Sequence, residues 1–91
     1  MSHILVILTI DTDNLPPDFP QILQREREVV GLWKKEGYLD QVFLRPTKNG
    51  AVLILKNVDL EVATRMMTTL PFYAIKKSIE IIPIIEDRGI G

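Results

Sequence analysis

Apolar positions fill the segment HILVILTI at residues 3–10 without alternating with polar ones. A strand with one face in water alternates, because successive side chains point to opposite faces. Residues 4–10 therefore read as a strand that needs cover on both sides. The polar stretch DTDNLPPD follows. Asp18 then suits a helix N-cap, with Gln21 three residues on as its capping-box partner. Helical spacing of apolar residues predicts a helix over 19–36, and Gly37 suits the position just past its end. Residues 38–45 read as a second strand, PTKNG as a hairpin turn with Asn49-Gly50 supplying positive φ, and residues 51–56 as a third, almost wholly apolar strand. Asp59 or Asn57 caps a second helix over 60–69, with Leu60, Ala63, Met66, Met67 and Leu70 on one face. Leu70-Pro71 stops it. FYAIKK is a linker, residues 78–84 are a last strand, and 85–91 form a polar C-terminal tail.

The order β-α-β-β-α-β over residues 1–84 predicts one α+β domain of ferredoxin-like type, an antiparallel four-stranded sheet with both helices on one face. Two helices cover one face only. Yet both alternate sets of the strands are apolar: Ile4, Val6, Leu8 and Ile10 against Leu5 and Ile7, Leu53 and Leu55 against Val52 and Ile54, Ile79 and Ile81 against Ile82 and Ile84. At about 25 cal/mol per Å² of apolar area, leaving the second set in water forgoes many kcal/mol. A second copy of the chain, sheet packed on sheet, is the expected cover, giving a homodimer or a higher assembly of dimers.

Composition narrows the functions. The chain has 91 residues, 46% of them hydrophobic, and no cysteine, so neither disulfides nor thiolate metal sites contribute. A net charge of −1 offers no basic field for nucleic acid and no polybasic membrane patch. No apolar run approaches the ~20 residues that span a bilayer, and the N-terminus does not resemble a signal peptide. A soluble, cytoplasmic protein is expected.

One polar residue interrupts the pattern. At 100° per residue, Phe19, Ile22, Leu23, Val29, Val30 and Trp33 gather in one arc of the first helix, and Glu26 falls near its middle. A carboxylate there must be paired, hydrated in a cavity, or shifted in pKa. Such surroundings make a general acid or base, although an edge salt bridge explains a single buried Glu equally well. Arg45, at the end of the second strand, is placed to reach a pocket between helix and sheet, with Tyr38, His3 and Tyr73 as candidate rim residues. Trp33 and Phe72 read as core.

The segments EREVVGLWKKEGYLDQVFLR, GAVLILKNVDLEVATRMMTTLPFY and IEIIPI together resemble the muconolactone isomerase-like family of dimeric α/β barrel proteins. The resemblance covers roughly residues 4–84. It implies a cofactor-free isomerase, with no metal, that moves a double bond in a small lactone or unsaturated organic acid. The family's helix-one carboxylate falls on Glu26, its adjacent basic residue on Arg27, its strand-two arginine on Arg45, and a histidine near the first strand on His3. In those roles Glu26 shuttles the proton, Arg45 stabilises the dienolate or holds the substrate carboxylate, and Arg27 and His3 bind substrate, with Tyr38 and Tyr73 added as substrate-binding candidates by their rim positions. The second strand, LDQVFLR, and the tail depart from the family enzyme, so the substrate stays open.

The alternative is a non-catalytic small-ligand-binding or assembly module on the same frame. RNA binding is excluded by the lack of aromatics in HILVILTI and GAVLILK, and a cysteine-based metal site by composition. A haem monooxygenase of the same superfamily would have to use His3 as its axial ligand.

Overall fold

A computed structural model describes residues 2–90. The elements run β1 (Ser2–Ile10), a 3₁₀ turn (Thr12–Asn14), α1 (Phe19–Glu36), β2 (Leu39–Leu44), β3 (Gly50–Leu55), α2 (Leu60–Thr68), a second 3₁₀ turn (Pro71–Ile75) and β4 (Lys76–Ile85). The four strands form one antiparallel sheet in the order β2-β3-β1-β4, the expected ferredoxin-like arrangement.

Register shows why β1 lacks polar positions. Val6 stands opposite both Leu53 and Ile81, and Leu8 opposite Ala51 and Ile79, so these residues share one face. Ile4, Val6, Leu8, Ile10, Leu53, Leu55 and Leu39 are buried there, beneath Ile22 and Trp33 of α1, Ala63 and Met67 of α2, and Leu70 and Phe72 beyond it. Burying each such large side chain is worth about 1.5–3 kcal/mol. The other face carries Leu5, Ile7, Val52, Ile54, Phe43, Ile82 and Ile84, and no helix lies on it. None of these seven is fully buried in the single chain, and Phe43 is 52% exposed.

Several local expectations need correction. Asp18 makes no side-chain cap, so the capping box does not form. Its carbonyl instead accepts the Gln21 and Ile22 amides at 3.0 and 3.1 Å, while Pro20 in the first turn has no amide to satisfy. Asp59, not Asn57, caps α2, its Oδ1 accepting the Val62 amide at 2.8 Å. Asn57 has φ 61° and donates from Nδ2 to the Gly37 carbonyl at 3.0 Å. In the β2–β3 hairpin, positive φ falls on Lys48 (60°) and Gly50 (155°) rather than on Asn49. A Cβ at Gly50 would stand 1.9 Å from the Leu8 carbonyl oxygen, so close approach to β1 requires glycine there. Leu23 and Leu60, assigned to the apolar faces, are 38% and 44% exposed, because each lies at the margin of its helix stripe. The linker folds as a 3₁₀ turn and β4 begins two residues early, at Lys76. Gly37 behaves as expected, at φ 87° beyond the last turn of α1.

Candidate functional site

Glu26 lies one helical turn after Ile22 and two before Trp33, in the column of α1 that faces the core. It is 6% exposed and stands alone as a buried charged residue among the described residues. Its partner comes from 46 positions away in the chain: Oε1 accepts the Phe72 backbone amide at 2.9 Å. The reason is local. Pro71 opens the 3₁₀ turn, and Leu70 before it offers no side-chain cap. The next amide, that of Phe72, is one of the unpaired donors at any helix start. The Glu26 carboxylate caps it from the neighbouring helix. Phe19 stacks on Phe72 at 5.9 Å between ring centroids and closes the same corner.

Burial pushes the Glu26 carboxyl above its ordinary range, and the Phe72 amide opposes part of that rise by favouring the charged form. No basic side chain pairs with Glu26 among the described residues. A carboxyl in this state can take or give a proton nearer neutrality than an exposed one.

The other candidates lie apart from it. Arg45 donates from Nη1 to Thr9 Oγ1 at 2.7 Å. Strand alternation puts Thr9 on the helix-free side of the sheet, with Gly50 and Ser78 opposite it, so Arg45 is held away from Glu26. His3, also on the helix-free side, has Nε2 3.6 Å from Asp40 Oδ2. Arg27 is exposed on α1, beside Leu23, Gln24 and Glu28. Tyr38 lies just past α1, next to Trp33, Asn57 and Met66. Tyr73 packs at the edge of the core, with Lys76 Nζ 4.3 Å from its ring centroid. The chain alone thus does not bring the six side chains into one cavity.

Three partners escaped the sequence reading: the Phe72 amide, Thr9 and Asp40. Only the first left a signal, a proline that ends one helix and starts another turn with a bare amide behind it. Among the described residues no three His, Cys, Asp or Glu side chains cluster as metal ligands would. No helix there is long and apolar enough to cross a membrane.

By sequence, no family model and no curated protein matches the chain. By fold, solved structures do. The molecule has an α+β ferredoxin-like fold that solved structures share. Muconolactone isomerase has this fold, superposing with a TM-score of 0.79 at 16% identity over 94% of this chain and 91% of its own. An antibiotic biosynthesis monooxygenase superposes at 0.65 with 13% identity, over 96% of this chain and 99% of its own. A hypothetical protein from Pyrococcus horikoshii superposes at 0.53 with 10% identity, over 97% and 94%. The resemblance drawn from the sequence therefore holds at the level of fold.

Proposed function

We propose that this chain is a cofactor-independent isomerase of a small lactone or unsaturated organic acid, with Glu26 as its proton shuttle. The observation that carries the reading is a carboxyl buried in an apolar helix–sheet interface, without a basic partner, whose pKa is raised. Allylic isomerisation next to a carbonyl needs one group that removes a proton and returns it to another carbon, and such a carboxyl suits that task. The fold is like that of muconolactone isomerase, whose name carries the same substrate class. Arg45 is the candidate electrophile. It would serve a substrate lying across the end of the sheet, or one bound where two chains meet.

The test is a panel of unsaturated lactones and acids in D₂O, followed by NMR for deuterium entry and double-bond movement. Wild type should shift the bond of one member without added metal. Glu26→Gln should lose about 10²–10⁴-fold in rate, the usual share of general acid–base catalysis. Equal turnover by both proteins would remove Glu26 from the reaction.

A second reading, a non-catalytic ligand-binding or assembly module, draws on a different observation. Glu26 already has a structural task at Phe72, and Arg45 one at Thr9. Both readings share the same assembly, a homodimer joined through the helix-free sheet face, because that face is apolar on all four strands.

A further inference from the structure

A cavity of about 480 Å³ opens on the helix side of the molecule, between the end of α1 and the start of α2. It does not include Glu26, which lies two turns back along α1 and faces the 3₁₀ turn at Phe72. Trp33, Tyr38, Val62 and Met66 line it together with the carboxylate residues Glu36 and Asp59, both exposed to solvent. The size falls within the usual range of small-molecule sites, ~300–1,000 Å³.

Its frame is tied together. The Tyr38 amide donates to the Trp33 carbonyl at 2.9 Å, and the Lys56 amide donates to the Tyr38 carbonyl at 3.0 Å. Asn57, in the left-handed region, bridges from the α2 side to the Gly37 carbonyl. These bonds tie the end of α1 to the segment that leads into α2. Neither Glu36 nor Asp59 has an ion-pair partner among the described residues. Asp59 spends only Oδ1 on the Val62 amide, leaving Oδ2 for another donor. The Lys34 ammonium, one turn of α1 from Gly37, donates to the Asp40 carbonyl at 3.0 Å and forms no ion pair with either carboxylate.

Aromatic and thioether walls under two unpaired carboxylates suit one kind of ligand. An anion is repelled at the mouth, and a neutral apolar molecule leaves the carboxylates unused. A small alkylated ammonium ion satisfies both parts, its charge against the carboxylates and the aromatic ring, its methyl groups against Val62 and Met66. We infer that this cavity is a binding site for a small organic ammonium ion, separate from the Glu26 site and independent of any reaction there.

The chain carries one tryptophan, and it is in the wall, so its fluorescence reports occupancy directly. Three probes of similar size are titrated at matched ionic strength: tetramethylammonium, neutral neopentyl alcohol and the pivalate anion. Tetramethylammonium should give a saturable change in Trp33 emission and in the Tyr38 ring resonances at millimolar concentration, and the other two should not. Glu36→Gln and Asp59→Asn should each weaken binding about two- to fivefold, the scale of a solvent-facing charge pair. Asparagine keeps the helix cap, and Glu36 is exposed, so neither change threatens the fold. Tyr38→Leu should weaken it about three- to tenfold if the ring faces the cation. The inference is overturned if tetramethylammonium shows no saturation, if neopentyl alcohol or pivalate binds as well, or if both charge variants bind like wild type.

Discussion

Glu26 combines two roles that pull in opposite directions. As a carboxylate it accepts the Phe72 amide, and as a buried group it resists being charged. Its pKa is raised in the folded chain, so between the unfolded value and the folded one the native state binds more protons. The contribution of Glu26 to stability is then greatest below the unfolded value and is lost as pH rises through the folded one. Glutamine keeps an oxygen for the Phe72 amide and removes the charge. Glu26→Gln should therefore flatten this part of the pH–stability curve and unfold no earlier than wild type at neutral pH, as urea titrations at several pH values would record. Glu26→Ala leaves the amide without an acceptor and should cost about 1–3 kcal/mol at every pH, before any contribution from lost packing. The helical period was enough to place Glu26 among apolar residues in the sequence. Its partner was not legible, because a backbone amide 46 positions away carries no side-chain identity to read.

At the scale of elements, period was a better guide than capping chemistry. Strand alternation and the 3.6-residue helix period depend on many side chains at once, so single exceptions such as Leu23 and Leu60 do not blur them. Caps depend on one backbone angle. Asp18 and Asp59 look alike in the sequence, each a lone carboxylate before an apolar helix. Asp59 has extended backbone (φ −91°, ψ 178°) and bonds Val62, whereas Asp18 sits at φ −93°, ψ 21° and bonds nothing with its side chain. The two prolines before Asp18 and the one after Phe19 already set that turn. Asp59→Ala should lower stability by about 1 kcal/mol, and Asp18→Ala should stay within about 0.5 kcal/mol of wild type, measured by chemical denaturation. The candidate site was less legible than the elements for the same reason. The sequence places Arg45 at the end of β2, but which side of the sheet it reaches is decided by the Thr9 hydroxyl on another strand.

The whole molecule is a sheet with one dressed face and one bare one. On the dressed side, alternate residues of β1 are almost fully covered, at 0–4% exposure for Ile4, Val6, Leu8 and Ile10. On the bare side the same strand offers Leu5 and Ile7, flanked by Ile54 and Val52 on β3 and by Ile82 on β4. Four strands thus present an apolar centre whose polar residues lie at its margins, Glu80, Ser78 and Gln41 on the outer strands β2 and β4 and His3 and Thr9 towards the two ends of β1. An apolar centre with a polar rim is the pattern of an interface core rather than of a wet surface. A twofold assembly through this face would place each Ile54 near the symmetry-related sheet, where a carboxylate would be buried without a partner. Light scattering at micromolar concentration should therefore find wild type as a dimer or larger and Ile54→Glu shifted toward monomer. Ile54 lies on the side of β3 away from the helices, so the variant should keep the far-ultraviolet dichroism of the wild-type fold. A wild-type chain that runs as a monomer, or an Ile54→Glu protein that assembles unchanged, would mean that this face is covered by something other than a second copy of itself.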